Sequence, residues 1–255
     1  SRFASLRIAS HRIKGARRVA LTLTIDGKLV TAREGETVLE AASDAGVSIP
    51  VLCHLQGLTD VAACRLCLVA VEGSNKLIPA CTTQVTEGMA ISTNTESLQL
   101  NRRMIVELLF AERNHVCSVC VANGNCELQD LAVTVGMDHV RFEYQSPDCD
   151  VDLSHDRYGL DHNRCVLCTR CVRVCHEVEG AHTWDVANRG TDCRVITDMA
   201  LPWGQAESCT SCGKCVQACP TGALFALGTS VGHSKRDPSL ISFLVTAREK
   251  KQWVD

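Results

Sequence analysis

Two cysteine runs of one spacing constrain this chain more than any other feature: Cys165-x2-Cys168-x2-Cys171-x3-Cys175 and, 44 residues later, Cys209-x2-Cys212-x2-Cys215-x3-Cys219-Pro220. They belong to a total of 17 cysteines in 255 residues. Disulfides are the first explanation for such density, but disulfide scaffolds are short and carry even counts. This chain is long enough to bury an apolar core without covalent help. Its cysteine count is odd, and its basic amino terminus has no apolar secretory stretch. Only ten residues are aromatic, and the 45% scored as hydrophobic includes the cysteines. Something other than side chains is expected to fill interior volume, and thiolates at these spacings point to an inorganic group.

Three thiolates at x2 spacing with a fourth three residues on form the two-cluster ferredoxin pattern. The three close cysteines hold three irons of one cubane, and the fourth serves the other cluster. The spacing therefore assigns Cys165, Cys168, Cys171 and Cys219 to one [4Fe–4S] cluster, and Cys175, Cys209, Cys212 and Cys215 to a second. Zinc sites draw cysteine pairs from separate knuckles, so zinc fits these runs poorly. His176 stands where the first run would carry a proline, a departure that leaves the ligand count intact.

Two further blocks precede these runs. Cys53-x10-Cys64-x2-Cys67-x13-Cys81 offers a tight pair and two outliers, which suits a [2Fe–2S] rhomb. The gap departs from the plant-type spacing, and a zinc ion held by the same four cysteines competes with that reading. Cys117-x2-Cys120-x5-Cys126 supplies only three ligands. His115, two residues upstream, is the expected fourth ligand of a third [4Fe–4S] cluster. An imidazole in place of a thiolate removes one negative charge and tends to raise the potential. The competing reading leaves His115 at the surface, with Cys149 or no protein side chain as the fourth ligand. Ligation uses 15 of the 17 cysteines and leaves Cys149 and Cys193 to pack as small apolar residues. Four oxidised clusters would add roughly −7 to the polypeptide's formal −3, with Arg65, Arg164, Arg170, Arg173 and Lys214 as nearby cations.

The rest of the chain arranges itself around these blocks as an α+β protein. Residues 1–18 form a basic arm with five Arg, one Lys and no acid, readable as a transit peptide, an arm on a partner or a solvated tail. In 19–95, alternation over Val19–Thr24 and Leu29–Thr31 around Asp26–Gly27 predicts a hairpin. Glu36–Ala45 reads as a helix stopped by Gly46, and Leu68–Val71 and Leu77–Ala80 read as two more strands. Residues 96–143 open with a helix, Glu96–Arg113, with Leu98, Ile105, Leu108 and Leu109 on one face and Asn101, Arg102 and Arg103 on the other. A second helical stretch, Glu127–Val135, follows the middle cysteine block. Residues 144–163 are polar and turn-rich, a linker; 164–228 hold the duplicated runs; 229–255 read as a docking tail or a solvated helix.

The absences narrow the function. A net charge of −3 gives no nucleic-acid signature, and no apolar run is long enough to span a bilayer. There is no dinucleotide or P-loop motif, no nucleophile triad and no H-E-x-x-H. Cysteine blocks without a substrate-site signature describe a wire: electrons enter at one cluster and leave at another, and the chemistry takes place on partner subunits.

Longer stretches resemble a known family. Gly35-Glu36-Thr37-Val38-Leu39-Glu40-Ala41-Ala42, with the first cysteine block, resembles the region shared by the large iron–sulfur subunit of complex I and by [FeFe] hydrogenases. Glu112 through Gln129, Asp161 through Cys165 and Gly180 through Val186 are similar to a narrower group, the HoxU-type diaphorase iron–sulfur subunits of bidirectional NAD-reducing [NiFe] hydrogenases. The likeness runs over about residues 20–230. It implies a β-grasp [2Fe–2S] ferredoxin domain, a helical [4Fe–4S] segment with one His and three Cys ligands, and a two-[4Fe–4S] bacterial ferredoxin-like domain. It also implies FMN, NAD and nickel–iron on partner subunits only: an FMN/NADH-binding flavoprotein and the hydrogenase small and large subunits. A cytoplasmic electron relay between NAD(H) and H2 is the expected role. A relay subunit of an NAD-dependent formate dehydrogenase or of a complex I-like module is the alternative. Family sequences usually place the ligand histidine four residues before the first cysteine of the middle block, where this chain has Arg113.

Overall fold

The computed structural model describes residues 20–250, so the basic arm at 1–18 lies outside it. Strands β1 (Ala20–Ile25) and β2 (Lys28–Arg33) pair antiparallel, Ala20 opposite Arg33 and Ile25 opposite Lys28. Their turn places Asp26 and Gly27 at φ 48° and 77°, the left-handed pair that a two-residue hairpin needs. Helix α1 (Val38–Asp44) starts later than composition suggested because Thr37 is its N-cap. The Thr37 hydroxyl accepts from the Glu40 N–H, and the Glu40 carboxylate accepts from the Thr37 N–H. Strands β3 (Leu68–Val71), β4 (Leu77–Pro79) and β5 (Ala90–Ser92) complete a mixed sheet ordered β2-β1-β5-β3-β4, with β1 and β5 parallel. Val38, Leu39, Ala41 and Ala42 of α1 bury against Leu23, Ile25 and Val69 of that sheet, the expected β-grasp arrangement. At three residues, β5 is too short to leave a periodic signal in sequence.

Helix α2 (Glu96–Glu112) starts at its Thr95 cap and corrects one expectation. Arg102, placed on the outer face by sequence, is buried, and its guanidinium donates to the carbonyls of Leu66, Leu68 and Thr93 at 2.8–3.0 Å. Leu108, placed inside, is exposed. An apolar stripe cannot register buried carbonyls that still require donors. Glu107 is fully buried too; burial pushes its carboxyl up, but Arg141 (2.8 Å) and Arg103 (3.2 Å) more than offset this and hold it below its ordinary range. Both arginines keep contact with solvent. Replacing Arg103 and Arg141 together with methionine strands a buried carboxylate and should cost about 3–5 kcal/mol. Glu107→Gln should cost less, since the freed guanidiniums rehydrate; denaturant titration of all three proteins checks the order.

After helix α3 (Glu127–Thr134), the stretch 144–163 expected as a linker instead contributes β6 (Val151–Asp152) and β7 (Tyr158–Asp161). Helix α4 (Arg170–Arg173) runs into a π-helical turn, Val174–Glu179. A hairpin, β8 (Trp184–Ala187) with β9 (Arg194–Thr197), separates it from helix α5 (Lys214–Ala218) and from β10 (Leu224–Ala226), which completes the sheet β10-β7-β6. The duplication of the two runs is visible in the backbone. Leu167 and Ser211 (φ 51° and 56°), then Thr169 and Gly213 (58° and 71°), are left-handed at equivalent positions around the second cysteine of each run. Helix α6 (Ser239–Glu249), in the segment read as a docking tail or solvated helix, docks on this chain itself. Ile241 is fully buried in the ferredoxin-like core, and Ser242 Oγ donates to the Gln56 carbonyl at 2.8 Å.

Candidate iron–sulfur sites

In the sheet domain the four predicted cysteines converge from two segments, the long α1–β3 loop, which carries Cys53, Cys64 and Cys67, and the chain just after β4, which carries Cys81. The Cys53 N–H lies 3.4 Å from Cys64 Sγ, the Cys64 N–H lies 3.5 Å from Cys53 Sγ, and Cys67 and Cys81 bring their sulfurs to 3.4 Å. Within each pair one thiol keeps its proton and donates it to the other sulfur, which favours the anion there. Cys64 falls to about 6 through its bond with Cys53, and Cys67 to about 7 through its bond with Cys81, while Cys53 and Cys81 rise. Backbone N–H groups of Leu52 and Leu66 also stabilise the Cys64 thiolate. The loop geometry thus prepares anionic sulfur in a buried pocket.

The ferredoxin-like domain divides its eight cysteines between two cavities. A cavity of about 350 Å³ is lined by Cys165, Cys168, Cys171 and Cys219, and another of about 310 Å³ by Cys175, Cys209, Cys212 and Cys215. The fourth cysteine of each run faces the other run's cavity. Burial pushes the thiols of Cys165 and Cys168 up to about 12 and that of Cys171 well above its ordinary value. A bare thiolate ring is therefore unfavourable there and needs cationic metal to carry its charge. Leu167 and Arg170 already direct backbone N–H groups at Cys165 and Cys168.

The third cavity, about 290 Å³, is lined by His115, Cys117, Cys120 and Cys126. His115 Nε2 is buried with no hydrogen-bond partner, and the ring's other polar contact is the Leu109 carbonyl. Burial, then the Arg164 guanidinium, lowers the ring to about 4, so it is neutral near pH 7 with a lone pair to donate. A carbonyl that fixes one ring nitrogen while the other stays free is how proteins orient metal-binding histidines. Arg113 turns elsewhere, toward the Cys149 sulfur (3.5 Å) and the Cys193 carbonyl (2.9 Å). Cys149 and Cys193 are half-buried and join none of the apolar clusters, which differs from the expected packing role. Among the described residues, no group of three or more His, Cys, Asp or Glu is placed to hold a single metal ion.

The nearby cations divide. Arg164 lines the His115 cavity and Lys214, paired with Glu179, lines that of Cys175, whereas Arg65 is exposed. Arg170 is buried against Glu127 (2.7 Å), and Arg173 joins the Cys53, Thr59 and Cys168 carbonyls. Three residues escaped sequence reasoning. Thr221 lines both the His115 cavity and its ferredoxin-like neighbour. Gly222 has no room for a side chain, since a Cβ there would meet Cys120 Sγ at 2.5 Å. Arg236 donates to the carbonyls of Cys219, Thr221 and Asn125, and nothing in the sequence around it marks that role.

Comparisons agree with this layout. Family models match a 2Fe-2S iron–sulfur cluster binding domain at residues 18–96, the NADH-ubiquinone oxidoreductase-G iron–sulfur binding region at 102–141, and the ferredoxin-like domain of NADH-quinone oxidoreductase subunit 3 at 158–225. The HndD subunit of the NADP-reducing hydrogenase of Solidesulfovibrio fructosivorans is 38% identical over 80% of this chain, which spans 36% of that protein. The gamma subunit of the NAD-reducing hydrogenase HoxS of Cupriavidus necator is 34% identical over 81% of this chain and 87% of its own. A crystal structure of NAD+-reducing [NiFe]-hydrogenase in the H2-reduced state has a chain 34% identical, with TM-score 0.78 over 82% of this chain and 88% of that one. No helix among the described residues is long and apolar enough to cross a membrane. With both 2Fe-2S and 4Fe-4S binding domains in place, this chain belongs to the family of iron–sulfur electron-transfer subunits that includes the gamma subunit of NAD-reducing hydrogenase.

Proposed function

We propose that the chain holds one [2Fe–2S] cluster, through Cys53, Cys64, Cys67 and Cys81, and three [4Fe–4S] clusters. His115, Cys117, Cys120 and Cys126 take the first of these; Cys165, Cys168, Cys171 and Cys219 the second; Cys175, Cys209, Cys212 and Cys215 the third. Three cavities, each ringed by four of these residues, are the observation that carries the reading. When bound, the clusters supply one-electron carriers between an FMN/NADH-binding diaphorase subunit and the small and large subunits of a [NiFe] hydrogenase, in the reversible reaction H2 + NAD+ to NADH + H+. The near-complete coverage of the hydrogenase gamma subunit supports that assembly and a cytoplasmic setting. The chain's own residues do the positioning. Leu109 orients His115, backbone N–H groups face the thiolates, and Arg170 and Arg173 tie the sheet domain to the ferredoxin-like one. The matches to NADH-ubiquinone oxidoreductase regions favour a second reading, a complex I-like module, with an NAD-dependent formate dehydrogenase beside it.

Metal analysis of the complex purified through this chain tests the proposal. Four clusters require at least ~14 Fe per complex, to which iron on partner subunits adds, and co-purified nickel selects the hydrogenase. Molybdenum without nickel selects the formate dehydrogenase, and stoichiometric zinc with low iron overturns the cluster reading. His115→Cys should keep its cluster and lower that cluster's midpoint potential, because a thiolate adds negative charge. An unchanged potential and EPR spectrum would reject ligation by His115.

A further inference from the structure

The two cavities of the ferredoxin-like domain have different walls. That of Cys165, Cys168, Cys171 and Cys219 is finished with aliphatic side chains such as Leu160, Val195 and Leu224. That of Cys175, Cys209, Cys212 and Cys215 is finished with Tyr158, Trp184 and Trp203. In a chain with three tryptophans, both of those described stand at one site. Trp203 is buried, and its indole N–H donates to Cys209 Sγ at 3.4 Å. Trp184, also buried, hydrogen-bonds Cys215 through its side chain, and the two indoles pack edge to face with ring centroids 4.9 Å apart. Tyr158 stacks on the other side of Trp203 at 5.6 Å.

We infer that Trp203 and Trp184 are tuning residues for the cluster of Cys175, Cys209, Cys212 and Cys215, their indole N–H groups holding its reduction potential above the value its thiolates alone would set. The inference rests on the ligand assignment proposed above. Reduction adds one negative charge that spreads onto the sulfurs, so an N–H donor to sulfur stabilises the reduced form more than the oxidised one. The need for such donors is local. Cys212 is the one exposed cysteine among those described, while Cys175 and Cys215 are buried. The site thus opens to the surface at one ligand, and the rigid indoles fix the polar environment of two others.

The test replaces Trp203, Trp184 or both with benzothienylalanine, which keeps the indole shape and puts sulfur in place of N–H. The intact complex is then titrated by EPR with iron counted on the same sample. Each replacement should lower one [4Fe–4S] midpoint, about tenfold in reduced-to-oxidised ratio at a fixed poise, and leave the other clusters unmoved. The double replacement should lower it further. H/D exchange should also remove, in the unmodified protein, a proton coupling from that cluster's hyperfine spectrum that is missing from the doubly replaced one. Unchanged midpoints at full iron content would overturn the inference, as would equal shifts of all cubanes or a rise. An unmodified complex short by four irons would instead overturn the ligand assignment.

Discussion

Replacing Gly222 with valine is expected to strip one [4Fe–4S] cluster from the chain and leave the others in place. Gly222 is not in a left-handed conformation, so the substitution carries no backbone strain, and its effect is purely steric. An added Cβ would lie 2.5 Å from Cys120 Sγ and 3.3 Å from the Ala122 Cβ, on the wall of the cavity that His115 shares. Ala122 is fully buried, and the backbone around it is pinned by the Ser234 N–H on the Val121 carbonyl (2.9 Å) and the Gly232 N–H on the Cys120 carbonyl (3.2 Å). The thiolate must therefore move off its position. Iron should fall by ~4 per chain, with one [4Fe–4S] EPR signal lost. Full iron with an unchanged spectrum would mean that Cys120 does not hold a cluster.

Arg173→Leu should loosen the sheet domain from the ferredoxin-like domain. Its guanidinium is buried and donates to Thr59, Cys53 and Cys168 carbonyls, so one side chain joins a cysteine loop of the first domain to a cysteine run of the third. Removal leaves those carbonyls to find other donors in a dry interior, a loss of about 2–4 kcal/mol. Arg173→Lys should recover little, because an ammonium cannot span three acceptors as a planar fork does. Denaturant titration measures the loss. Weaker magnetic coupling between the reduced [2Fe–2S] cluster and its neighbours would locate it at the domain junction, and unaltered coupling with unaltered stability would count against Arg173 as the link.

Much of this was legible in the cysteine spacings, because a cluster demands thiolates at distances that loop length must satisfy. The fourth cysteine of each run lines the other run's cavity, the placement that spacing suggests, and His115 lines the cavity of the cysteines next to it in sequence. What stayed hidden depends on contacts between remote segments. Arg102 looked like a surface cation because its acceptors are carbonyls of another domain. Strands β6 and β7 hid in a polar segment because strands of two and four residues are too short for alternation to emerge. The docking of α6 was invisible because its partner residues, near Gln56, stand some 190 positions away. Trp203 and Trp184 carried no signal either, since an indole reaching a thiolate depends on where the β8–β9 hairpin folds back.

The exchange of the fourth cysteine between the two runs bears on how such a protein is matured. Each run alone lines its own cavity with three cysteines and its neighbour's with one, so neither cavity has all four until both runs have folded together. Under the ligand assignment proposed above, assembly of the two sites is all-or-none, and a chain cut between β9 and α5 yields two fragments that each lack one cysteine of their own cavity. Though the two runs share one spacing, the exchange makes them a single structural unit.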